Sequence, residues 1–135
     1  MNIVLMIHSL EDAFSEYTVH SDLIKDLISI LKNSGNEKSF IAKLTTSLRF
    51  LSEYGKTAHL QPTKQFEKIK DVDNMYSMHI CTKNYNVRIL YSFLSNDKIL
   101  LHGFDEKSGK RITDYSHALP VAKNRLNEII EEELL

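Results

Sequence analysis

Between residues 75 and 105 the apolar side chains return at every second position, and a period of two restricts this stretch to strands. The runs MYSMHICTK, NVRILYSFLS and KILLHGFDEK follow one another with only residues 84–86 and 96–97, all but one of them Asn or Asp, at the joints. Asn and Asp accept the tight backbone of a turn, so consecutive antiparallel hairpins are the economical topology. Tyr76, Met78 and Ile80 share one face of the first run, with Ser77, His79 and Cys81 opposite. In the second run Val87, Ile89, Tyr91 and Phe93 alternate with Arg88, Leu90, Ser92 and Leu94. This patterning indicates a small sheet packed on one side.

The rest of the chain reads mainly as helix. Residues 1–7 form a short apolar run that is expected to be a strand, with a polar connection through His20. Leu23, Ile24, Leu27, Ile28 and Leu31 stand at helical spacing, with Ser21 as N-cap, Asp22 in the first turn and Gly35 as the stop. A second helix is expected over residues 37–54, with Asn36 as cap, Gly55 as terminator, and a stripe of Phe40, Ile41, Leu44, Leu48 and Leu51. The short linker between the two predicts an antiparallel helical hairpin. Residues 56–74, with Pro62, Lys64, Lys68 and Lys70, read as irregular. A last helix carries Val121, Ala122, Leu126, Ile129 and Ile130 on one face, and Pro120 fits only its first turn.

At 135 residues with 42% hydrophobic and 26% charged side chains, the chain is expected to form one globular domain spanning residues 1–135. Cys81 is the only cysteine, so an internal disulfide is impossible. No signal peptide is apparent and no run approaches the ~20 apolar residues of a membrane span, so a cytoplasmic protein with no membrane contact is expected. The net charge of -1 hides two basic blocks. Residues 36–70 hold seven bases against three acids, and residues 106–127 hold five against two. Such blocks either solvate loops and helix faces or meet on one face as a local anion site.

Motifs exclude several chemistries. The six histidines show no paired-ligand spacing, and neither a phosphate-binding glycine loop nor a nucleophile elbow occurs, so no metal or cofactor is expected. What remains is a set of cationic and titratable residues around the sheet. A tight turn would put Arg88 and His79 on one face. The planar guanidinium matches phosphate oxygens, and a histidine can move a proton. Equally, Arg88 reads as a surface ion-pair residue and His79 as a partly buried spacer. His102, among Leu100, Leu101, Gly103 and Phe104, reads as a hydrogen-bonded core histidine. Lys107, Lys110 and Arg111 either clamp a nucleic-acid backbone or keep a loop soluble. Tyr115 either stacks on a base or donates a proton, or packs the sheet against the last helix.

The strings VRILYSF, KILLHGFDEKSGKR and PVAKNRL resemble the HigB-like, phage-derived branch of the RelE/ParE superfamily of type II toxins, most closely over residues 76–126. The resemblance implies an α+β RelE-like fold: a small twisted antiparallel sheet with an N-terminal helical hairpin and a C-terminal helix. It implies a metal-independent endoribonuclease that cuts mRNA on the ribosome, inhibiting translation and growth until bound by a cognate antitoxin, a helix-turn-helix HigA-like protein. Arg88 matches the arginine on the second meander strand and becomes the phosphate stabiliser. His79, Tyr115 and His117 join it as catalytic residues, and Lys107, Lys110, Arg111 and Lys83 as phosphate contacts. Ser77 and His79 stand where RelE-type enzymes carry lysines, which leaves the general base open. Two other functions stay in play: a ParE-like inhibitor of gyrase, and a non-catalytic protein-binding module.

Overall fold

The computed structural model describes residues 1–106 and 112–133. The architecture is α+β. Among the described residues the chain runs α1 (Ile3–Ala13), β1 (Thr18–Val19), α2 (Leu23–Leu31), α3 (Glu37–Tyr54), a 3₁₀ turn (Gly55–Leu60), β2 (Phe66–Lys68), β3 (Tyr76–Thr82), β4 (Tyr85–Leu94), β5 (Asp97–Asp105) and α4 (Ala118–Glu133). The five strands lie in the order β1-β5-β4-β3-β2. The meander expected from the alternation is present, in the register Met78↔Ile89, His79↔Arg88 and Ile89↔Gly103. The sheet is mixed and larger than the antiparallel one expected, because β1 joins β5 in parallel and β2 joins β3.

Residues 1–7 are not a strand. Asn2 caps α1, its Oδ1 accepting the Leu5 N–H at 2.7 Å, and Met6, Leu10 and Phe14 recur every fourth residue as a buried stripe. A short apolar run is ambiguous between the two periods, and here the cap and the continuation to Phe14 select the helix. The caps of the next two helices also differ from expectation. Asp22, not Ser21, holds the cap position of α2, and neither it nor Asn36 makes a side-chain cap bond. Gly55 does terminate α3, at φ +51°.

Nor do α2 and α3 stand as a separate hairpin. The main contacts of α2 are with β5, α3 packs against the 3₁₀ turn, α1 and β3, and α1 packs against both helices. The leucine stripes of both helices are buried in one core with the sheet. One face of the sheet presents Met78, Ile80, Val87, Ile89 and Tyr91 to these helices. The opposite face is covered as well, contrary to the one-sided packing expected: Leu90, Ile99 and Leu101 meet Ala118, Ala122 and Ile129 of α4.

β5 holds the layers together. Leu90 pairs with His102 and Tyr91 with Leu100, so Leu101 is the extra residue of a bulge. β1 pairs only with Ile99 and Leu100, and the His20 N–H adds one bond to the Leu100 carbonyl at 2.9 Å. Beyond that point no strand among the described residues pairs with this edge of β5, and two side chains seal it. Asp26 of α2 accepts the Gly103 N–H at 3.1 Å, and Arg125 of α4 donates to the Leu101 carbonyl at 2.9 Å. Gly103 lets α2 come this close. A Cβ there would lie 2.9 Å from Cδ2 of the fully buried Leu27 and 3.5 Å from Leu23 Cδ1. Gly103→Ala is therefore expected to lower stability by about 1–3 kcal/mol through overpacking, read as a shift in the urea midpoint. An unchanged midpoint would show that α2 gives way freely.

Candidate functional site

The α4 side of the sheet carries a polar cluster built across β2, β3, β4 and the segment after β5. His79 and Arg88 are direct cross-strand partners on this face, and Ser77 lies beside them. Alternation places them there, since Met78, Ile80, Val87 and Ile89 occupy the other face. Phe104 opposes Arg88, so Glu106, two residues on, returns to the same side. The Glu106 N–H donates to the Asn86 carbonyl at 2.7 Å, which carries the ladder one rung past the last strand residue.

Glu106 is the hub. Its Oε2 accepts from Arg88 Nε at 2.6 Å and stands 3.6 Å from His79 Nε2, while Oε1 accepts from the Thr113 hydroxyl at 2.6 Å. Burial opposes its ionisation, but the bonds from Thr113 and Arg88 and the charge of Arg88 outweigh it and hold the carboxyl below its ordinary range. His79 Nε2 also bonds Asn86 Oδ1. That oxygen can only accept, so Nε2 carries the proton and a neutral ring keeps its lone pair on Nδ1.

Arg88 has a second side. Its Nη1 lies 3.5 Å from the Ser77 hydroxyl and 3.6 Å from Glu67 Oε1. Glu67 Oε1 also accepts from the Tyr115 hydroxyl. Burial, and then the bond to Glu67, push the Tyr115 phenol far above its usual pKa, so it stays protonated at neutral pH and able to donate. Tyr115 also meets Phe104 edge to face, with ring centroids 6.1 Å apart. It therefore both packs the sheet toward α4 and belongs to the polar cluster.

Three clefts open around this cluster. Arg88 and Tyr115 line one of about 570 Å³ between β2 and the start of α4. His79 and Lys83, the latter in the β3–β4 turn, line a second of about 630 Å³ with Asn86 and Glu106. His117 lines a third of about 500 Å³, with Phe104, Asp105, Glu106 and Asp114, and Asp105 and Glu106 join it to the second cleft. Of the sequence-derived candidates, Arg88, His79 and Tyr115 form one connected group, Lys83 flanks it and His117 stands apart. Lys107, Lys110 and Arg111 lie outside the described residues.

Two carboxylates escaped the sequence reading. Glu106 was foreseeable, since extending the alternation past Phe104 puts it on the Arg88 face. Glu67 carried no local signal, because β2 is three residues long and sits in a stretch read as irregular. His102, expected to be hydrogen-bonded, bonds Asp26 Oδ2 through Nδ1 at 2.8 Å, where Arg125 also binds at 2.5 Å. Among the described residues no three His, Cys, Asp or Glu side chains converge to hold a metal ion, and no helix is long and apolar enough to cross a membrane. Comparison with protein-family models, with curated proteins and with solved structures gives no match.

Proposed function

We propose that this chain is a HigB-like toxin of the RelE superfamily that cleaves mRNA on the ribosome and is silenced by a cognate antitoxin. The reading draws on the strings of residues 76–126, and the N-terminal half, which begins with a helix, contributes nothing to it. The observation that carries it is the Arg88–Glu106–His79 group, with a protonated Tyr115 beside it. Cleavage of RNA through its own 2′-hydroxyl needs a proton acceptor, a cation for the pentacoordinate phosphorus and a donor for the leaving oxygen. These side chains supply that set.

In the proposed reaction the 2′-oxygen bonds to phosphorus as its proton passes to His79. The bond from phosphorus to the 5′-oxygen breaks, and that oxygen takes a proton from Tyr115. The products are a 2′,3′-cyclic phosphate and a 5′-hydroxyl. Arg88 binds the non-bridging oxygens, and Glu106 fixes the plane of its guanidinium. RNA running from the Tyr115 cleft to the Lys83 cleft would cross Arg88 and His79 in turn. Induced expression is expected to arrest growth, with primer extension revealing cuts phased with codons in translated transcripts. Intact mRNA accompanied by DNA damage would instead identify a gyrase poison, and growth without either effect would leave a binding module.

A further inference from the structure

We propose that the cleft between β2 and residues 112–116 is a nucleotide pocket whose phosphate position is filled, in the free protein, by the carboxylate of Glu67. The choice of a nucleotide rests on the RNA reading above; the filled position rests on geometry. Arg88 is nearly buried, and its Nε is fully engaged by Glu106 at 2.6 Å. Its Nη1 is not well served. Both neighbours, Ser77 Oγ at 3.5 Å and Glu67 Oε1 at 3.6 Å, lie beyond the ~2.7–3.2 Å of a well-formed bond.

The same Glu67 oxygen receives the Tyr115 hydroxyl. One carboxylate oxygen thus sits where two donors of the cleft wall converge. Yet Glu67 is 47% exposed and stands on a three-residue edge strand, and among the described residues its side-chain partners are Arg88 and Tyr115. It can swing into solvent at little cost. A phosphate has more acceptor oxygens than a carboxylate and can span Arg88 and Tyr115 with bonds of normal length.

The remaining wall suits what is attached to that phosphate. Lys70 and Lys68, the latter with its ammonium on the Val72 carbonyl at 2.9 Å, line one side, and Ile69, Val72 and Leu119 offer apolar surface to a base. A volume of about 570 Å³ is adequate for a small ligand. Glu67 then sets a threshold that every entering anion must meet. A small anion must displace it with phosphate contacts alone, whereas a nucleotide adds contact along the apolar wall.

The test is ribosome-free. Wild type and Glu67→Gln are titrated with adenosine 3′-monophosphate and with inorganic phosphate, following backbone amide shifts and heat. Removing a like charge about 4 Å from the phosphate should tighten nucleotide binding about fivefold. The shifts should centre on Lys68, Lys70, Tyr115 and Leu119. Glu67→Ala should show the same gain, so a folding defect in one variant does not decide the matter. Equal or weaker nucleotide binding by both variants overturns the proposal. So does inorganic phosphate binding to either protein as tightly as the nucleotide, which would mark a bare anion site. The two readings separate cleanly. Tighter nucleotide binding in a protein that cuts no mRNA keeps the pocket and removes the ribonuclease. Codon-phased cutting without any gain in Glu67→Gln does the reverse.

Discussion

Arg88→Lys is expected to reduce mRNA cleavage in a translation extract about a hundredfold while leaving the fold intact. Lysine keeps one positive charge against Glu106, which is only 10% exposed, so the carboxylate is not left alone. What it loses is the fork. A point ammonium cannot hold Glu106 on one edge and present a second edge to phosphate oxygens. The alanine variant is the poorer probe. It strands a nearly buried carboxylate with only Thr113 bonded and His79 3.6 Å away, a change worth about 3 kcal/mol of stability in comparable sites. Loss of toxicity in Arg88→Ala would therefore mix catalysis with unfolding. Cleavage rate and thermal melting measured together on Arg88→Lys keep them apart. Retention of cleavage within threefold of wild type would remove Arg88 from the reaction.

The largest effect on stability is expected from Asp26→Ala, about 3–5 kcal/mol by urea denaturation. Asp26 binds Arg125 through both oxygens, Nη1 to Oδ2 at 2.5 Å and Nη2 to Oδ1 at 3.2 Å, besides His102 and the Gly103 N–H. Its loss leaves Arg125, 13% exposed, without a carboxylate partner among the described residues and uncovers the β5 edge. The pH dependence follows. Burial raises the Asp26 pKa, but the bonds from His102 and Arg125 outweigh it, and the carboxyl lies below its ordinary value in the folded protein. A depressed folded pKa contributes stability that is complete above the unfolded value, about 4, and is lost as pH falls toward the folded one. Wild-type stability should therefore decline below about pH 4, and part of that decline should be missing in Asp26→Ala. Parallel pH profiles for the two proteins would show that the triad does not contribute.

Much of the meander was legible, for a simple reason. Strand alternation is a local property, and Val87, Ile89, Tyr91 and Phe93 announce a buried face wherever the sheet ends up. The His79–Arg88 pairing followed from a tight turn between two such runs. Elements whose identity depends on distant partners were not legible in the same way. The apolar stretch at residues 1–7 suits either period, and only the continuation through Leu10 and Phe14 makes it a helix. β1 is two residues in a polar connector, and it is a strand only because β5 lies beside it.

The polar cluster divides along the same line. Arg88 and His79 were candidates from residue type and alternation, and Tyr115 from its place before the last helix. The sequence by itself determined a three-stranded meander, the helices α2, α3 and α4, and the face on which Arg88 stands. Tertiary structure alone decided that this face is roofed by α4, that Glu67 reaches the second side of Arg88, and that Asp26 and Arg125 meet across the edge of β5. Periodicity is written into neighbouring residues, whereas Asp26 finds Arg125 across 99 positions of chain, where no local pattern reaches.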